Sequence, residues 1–331
     1  MRLIFPLVLS AMTQQTLAAQ SSEFIKDLGK DSLATSIELL KVTVPAIIVT
    51  QILEEFGLIV YIGNILEPIM GSMGLVGELG LVWATAILTT PYGAIGVYAA
   101  LGPSLNLTGA DMTVLCSIIL IAHSLPVELS ITKKAGAGMI PLGLIRLLGV
   151  FVYGVMLNKI CTYFALWQDP AIMLFRAGPK KQTLMQWTGG QCINILVICT
   201  VIFFILLAMR FLKAVGVIKL LEYLLKTLLP LFGMSHRAAP VTVVGMILGV
   251  AYGGALIIKE TTAGKMDSRE VFNSLALMSL SHGLIEDTLV MMALGAKLGG
   301  ILWGRLLFSL LVMYLLVRVV DYLSSRSGVN N

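Results

Sequence analysis

Charge is what this sequence lacks most. Asp, Glu, Lys and Arg make up 12% of its 331 residues, where a soluble domain carries about 25%. That scarcity excludes a soluble globular protein and leaves a polytopic membrane protein, as a mean hydropathy of +0.93 also indicates. Cysteine is scarce too. Cys116, Cys161, Cys192 and Cys199 form no C-x-x-C pair, so a disulfide framework or a zinc site built on cysteine has little support. There is no P-loop, no H-E-x-x-H and no G-x-S-x-G. The usual enzyme signatures and any nucleotide-driven pump are therefore missing, and we expect neither an enzyme nor a cofactor. No basic run with interleaved aromatics occurs. A net charge of +5 suits positive loops at the cytoplasmic face, not a nucleic-acid partner.

The chain does have long stretches without charge. Leu79 to Ala110, Gln182 to Met209 and Ala238 to Ile258 carry none, and each can cross a ~30 Å hydrocarbon core as a helix. They lack the polar–apolar alternation of a membrane β-barrel. The expected class is all-α, with the lipid bilayer as the first partner.

The scarce polar residues are not scattered at random. "AHSLPVELSITKKAGAG" begins at Ala122 and "SHGLIEDTLVMMALGA" at Ser281. An offset of 159 pairs His123 with His282, Glu128 with Asp287, Gly136 with Gly295 and Arg146 with Arg305. The same offset pairs Asp111 with Glu270, Gly57 with Gly216 and Gly74 with Gly233. With one residue of slip, Tyr92 falls on Tyr252. Apolar matches come cheaply in such a chain, but these do not, so the sequence reads as a duplication. Repeat 1 covers residues 36–160, a linker 161–191 and repeat 2 residues 192–322.

Each repeat follows one plan. An apolar helix comes first, near Ile37–Leu53 and Ile193–Met209, followed by an amphipathic stretch. Next comes a span interrupted by "TTPYGAIG" or "GVAYGGA", and then "TGAD" or "DSRE", which read as capping boxes. The histidine stands twelve residues past the box carboxylate, and a last span carries the arginine. An odd number of crossings per repeat would invert the second repeat and, with the N-terminus outside, put the basic linker, with Arg176, Lys180 and Lys181, inside. Residues 1–19, with Arg2, a short apolar core and small residues at Ala18 and Ala19, resemble a cleavable signal peptide, with a short uncleaved anchor as the alternative.

Ionisable groups inside a membrane are costly and mark function by default. Inverted repeats with interrupted helices are the recurring build of secondary transporters, whose sites lie where the interruptions meet. The expected substrate- or ion-binding set is therefore His123, Glu128, His282 and Asp287, with Thr90, Tyr92, Gly93, Tyr252 and Gly253 from the interrupted segments. Histidine and carboxylate five residues apart lie about 140° apart on a continuous helix, unless "HSLP" and "HGLI" break it. The histidines suit a proton relay or a divalent-metal site. The plainer alternative is a helix-end histidine bonded to backbone. Arg146 and Arg305 are expected to pair with Glu128 and Asp287.

Two units with a Gly/Tyr-interrupted span, then "HSLPVELS"/"HGLIEDT", then "GAGMIPLGLIRLL"/"GAKLGGILWGRLL", resemble the Gate or nucleoside-recognition domain family over about Ser36 to Tyr322. Related units occur in concentrative nucleoside transporters, in the membrane part of the bacterial ferrous-iron transporter and in spore maturation membrane proteins. The resemblance implies the fold and a transport role. It implies no substrate, because neither a nucleoside-binding set nor a paired-cysteine gate is present.

Together these readings give an inner-membrane permease for a small polar solute or ion. A divalent-metal (ferrous iron) permease and a non-transporting membrane partner or scaffold are the alternatives. The amphipathic stretches are compatible with a homo-oligomer or a second membrane subunit.

Overall fold

The computed structural model describes residues 4–102, 105–171, 183–235 and 237–326. Among these the protein is all-α, with one isolated bridge between Thr108 and Pro170. The basic linker residues Arg176, Lys180 and Lys181 lie outside the described residues.

Repeat 1 takes in the part of α1 (Ile4–Glu55) from residue 36 on, then α2 (Leu58–Ser72), α3 (Leu79–Leu88), α4 (Pro91–Leu101), α5 (Gly109–Ile121), α6 (Leu125–Lys134) and α7 (Met139–Tyr163). Repeat 2 returns the same series as α8 (Leu184–Ala214), α9 (Val217–Leu228), α10 (Ala238–Leu248), α11 (Val250–Thr262), α12 (Ser268–Ser281), α13 (Glu286–Ala293) and α14 (Arg305–Arg326). A π-helical turn, Gly299–Gly304, leads into α14.

The sequence punctuates these helices by recognisable means. Thr108 and Asp111 form a reciprocal capping box at the start of α5, as Asp267 and Glu270 do at α12. Glycines stop the first helix of each repeat in the left-handed region, Gly57 at φ 67° and Gly216 at φ 84°. Only glycine adopts that conformation freely.

Three helices in each repeat are long and apolar enough to cross a membrane: α1, the α5–α6 pair and α7, then α8, the α12–α13 pair and α14. The interrupted spans of the sequence reading are instead helical hairpins, α3–α4 and α10–α11, whose arms pack on each other. An arm of ten residues is about 15 Å long, half of a ~30 Å hydrocarbon core. Each arm is therefore too short to cross such a core by itself, and the chain turns back on itself between the arms. Three crossings per repeat is odd, so the second repeat runs opposite to the first.

Helices apolar on every side give no amphipathic signal, yet their faces are distinct. Leu144, Leu148, Val152, Met156 and Ile160 form an exposed stripe along α7. At an offset of 159, Trp303 of the π-helical turn and Leu307, Leu311, Leu315 and Val319 of α14 form its copy. These stripes suit lipid. The opposite face of α7 is buried and carries Gly143, Gly149 and Gly154 with Arg146 and Tyr153. Small residues let the helices approach closely. Helices α5 and α12 are buried along almost their whole length and form the centre.

Candidate functional site

The two central helices break at the same place. Helix α5 ends at Ala122 and α6 begins after Ser124, which adopts φ 48°. Helix α12 ends at His282, followed by Gly283 at φ 58°. Each break is held by the hairpin of its own repeat. The Ser124 amide donates to the Ala86 carbonyl at 2.9 Å, and the Leu284 amide donates to the Met246 carbonyl at 3.0 Å. The Ser124 hydroxyl adds a bond to the Thr89 carbonyl at 2.5 Å. The crossing helices that carry the histidines are thus the broken ones, and the hairpin tips brace the breaks.

The breaks bring the two histidines together. His123 and His282, 4% and 2% exposed, place their Nε2 atoms 3.0 Å apart. Their rings are tilted by 53°, with centroids 4.7 Å apart. Each Nδ1 lies 3.0 Å from a carbonyl one turn back, of Ile119 and of Met278. A carbonyl only accepts, so each Nδ1 carries the proton and each Nε2 of a neutral ring is left as an acceptor. The backbone-bonded reading of the histidines therefore holds at Nδ1, while Nε2 stays available for chemistry.

Two carboxylates approach the same point. Glu128 Oε1 lies 3.2 Å from His282 Nε2 and 3.5 Å from His123 Nε2. Asp287 Oδ2 lies 4.0 Å from His123 Nε2. The other oxygen of Glu128 accepts from Arg146 Nη1 at 2.5 Å. Arg146 is fully buried and also donates to the Ile121 and His123 carbonyls at 2.8 and 2.9 Å. It thus ties α7 to the unsatisfied carbonyl end of α5 and aims Glu128 at the histidines. The contact that relates His123 to Glu128 is made by the break, since an unbroken helix would hold them on different faces.

The sequence-derived set is only partly assembled. His123, Glu128, His282 and Asp287 converge. Tyr92 reaches the edge of the centre, its hydroxyl donating to Glu286 at 3.3 Å. Beside it lies a small apolar cavity of about 20 Å³ lined by Tyr92, Ile95, Ile198 and Leu294. Thr90 instead caps α4, accepting from the Gly93 amide. Gly93 packs against Thr89 and Val42, and Gly253 against Gly245 and Met278, where hairpin arms need a bare backbone. Tyr252 is 67% exposed, whereas the histidines are buried. Its hairpin arm α11 packs on α6 of the other repeat, whereas α4 lies along α1.

The expected pairing of Arg305 with Asp287 does not form. Asp287 is one methylene shorter than Glu128 and folds back against Gly283. Arg305 is fully buried, reaches the Leu120 carbonyl at 3.4 Å and leaves Nε and Nη2 without a hydrogen bond among the described residues. Glu286 was not in the expected set, and its one signal in the sequence is a four-residue spacing from His282. The bracing bonds of Ser124 and Leu284 had no signal in side-chain chemistry, because one partner in each is a backbone carbonyl.

Fold and site together define a polytopic all-α membrane protein built around a buried polar centre. The chain is 36% identical over 104 residues to the inner membrane protein YjiG of Escherichia coli strain K12, covering 67% of that protein and 31% of this chain. It belongs to the family of that inner membrane protein. The same match holds for YjiG of Escherichia coli O157:H7. Over 298 residues the chain is 22% identical to the uncharacterized membrane protein YvoD of Bacillus subtilis, covering 87% of this chain and 91% of that protein. No protein-family model matches the chain, and no solved structure matches it.

Proposed function

We propose that the protein is an inner-membrane permease for a small ion or polar solute, with a cation-holding centre where its two inverted repeats meet. The observation that carries this reading is the convergence of His123, His282, Glu128 and Asp287 in the buried middle of the bundle. Four acceptor atoms face one another there. Arg146 turns its charge onto the far oxygen of Glu128 and does not enter the gap. Acceptors gathered without a donor repel one another unless a cation sits between them. A protein that needed only stability would gain more from apolar packing at that depth.

The surroundings support transport. Both breaks are braced by hairpin tips, and broken helices meeting at mid-membrane are the recurring site of secondary transporters. The resemblance to Gate units points the same way. The histidines or carboxylates then hold a coupling proton or the substrate itself.

Purified protein in liposomes, with a trapped pH dye and a trapped metal dye, tests the reading. The reading predicts ion movement in at least one channel of this assay, and its loss in both His123→Ala and His282→Ala. Intact protein that moves neither protons nor metal, alone or with nucleosides, nucleobases or small carboxylates added, would contradict it.

A further inference from the structure

We infer that the centre takes a first-row divalent transition-metal ion, ligated by Nε2 of His123, Nε2 of His282 and the carboxylates of Glu128 and Asp287. This names a substrate class for the permease proposed above and rests on that reading.

The geometry sets the choice. His123 Nε2, His282 Nε2 and Glu128 Oε1 form a triangle with sides of 3.0, 3.2 and 3.5 Å. One point lies about 1.9 Å from all three corners, and an ion about 0.8 Å out of that plane is ~2.05 Å from each, the usual zinc–nitrogen and zinc–oxygen length. No ring has to move. Ligand atoms on a tetrahedral ion of that size are about 3.4 Å apart. Asp287 Oδ2, at 4.0 Å from His123 Nε2, thus needs to close by roughly half an ångström. These two histidines and Asp287 already hold their ligand atoms within 4.8 Å of one another.

A shared proton explains less. It serves the two facing nitrogens along one line and leaves Glu128 Oε1 and Asp287 Oδ2 without a donor. A central metal ion satisfies all four atoms. The outer contacts also fit a metal site. Each histidine donates Nδ1–H to a carbonyl, and Glu128 is oriented by Arg146. Ligating histidines and carboxylates are ordinarily held this way. Two imidazoles favour zinc, iron, cobalt, nickel or copper over magnesium and calcium, which take oxygen ligands.

Cobalt(II) alone is the probe, added to the full-length protein in detergent after chelator treatment. The inference predicts one ion per chain, with the visible bands of four- or five-coordinate cobalt. Zinc displaces it and excess magnesium does not. X-ray absorption of the zinc-loaded intact protein should show two imidazoles, a readout that needs no variant. His123→Ala and His282→Ala should each weaken binding by more than the ~10–100-fold typical of outer-shell changes, and Arg146→Lys by an amount within that range. Failure to bind cobalt in stoichiometric amount, a metal shell without imidazole, or full affinity in both histidine variants would overturn the inference. Binding without flux in liposomes would keep the metal site and remove the permease reading. Flux of another solute without metal binding would do the reverse.

Discussion

The two repeats carry the same charged pair in opposite conditions. In repeat 1, Arg146 grips Glu128 at 2.5 Å and donates to two carbonyls. In repeat 2, Arg305 has no carboxylate within 4.0 Å among the described residues and holds one long bond of 3.4 Å. The hairpins differ in the same sense. Tyr92 is bonded to Glu286, while its counterpart Tyr252 is exposed, and the position matching Glu286 is the exposed Val127. One sequence plan thus takes two different packings in a single molecule. For the permease proposed above, exchanging the two packings between the inverted repeats would exchange the face to which the centre opens.

This contrast can be broken by substitution, and the largest effect belongs to the closed pair. Arg146→Leu strands Glu128 beside the histidines. Breaking a buried pair costs about 3–5 kcal/mol, so the purified variant should melt well below the parent. Arg305→Leu removes a charge that has little to lose and should cost clearly less; equal losses would remove the contrast.

Next come the two breaks. Gly283→Ala adds a side chain at φ 58°, against the Asp287 carboxylate. A left-handed non-glycine residue costs roughly 1–2 kcal/mol, and displacement of Asp287 should also lower cobalt affinity. Ser124→Ala keeps its backbone and loses one hydroxyl bond, worth about 1 kcal/mol, with cobalt affinity unchanged. The same melting and titration experiments read both.

Asp287→Glu sharpens the comparison in the other direction. The added methylene lets the second carboxylate reach Arg305 as Glu128 reaches Arg146. A rise in melting temperature is expected, and it should disappear in the Arg305→Leu background. The smallest effect is at the tyrosines. Tyr92→Phe should lose at most the ~1.5 kcal/mol of one hydrogen bond, whereas Tyr252→Phe should change nothing measurable by thermal melting.

Much of this was legible in the chain. The low charge gave the class, and the offset of 159 found the histidines, carboxylates and arginines that stand in and around the centre. The capping boxes at Thr108 and Asp267 formed as read, because a capping box is a local motif whose partners lie three residues apart. The interrupted segments were misread as broken crossings. "TTPYG" signals that a helix stops, but a stop looks the same whether the chain continues across the membrane or turns back. The helix break at His123 and His282 was visible only as a condition on the spacing argument. Tyr252 was placed in the site as part of its interrupted segment, but it stands exposed, and α11 packs on α6 where α4 packs on α1. A duplicated sequence shows which residues correspond, and packing decides which of them stand in the same state.

The central claim is that His123 and His282 act as one centre made by both repeats. A double-mutant cycle tests it most directly. Thermal stability is measured for the parent, His123→Gln, His282→Gln and the double variant, all without added metal. Residues in contact couple by about 0.5–3 kcal/mol, so the double variant should differ from the sum of the singles by that amount. Effects that add within ~0.5 kcal/mol would place the two histidines apart and contradict the account.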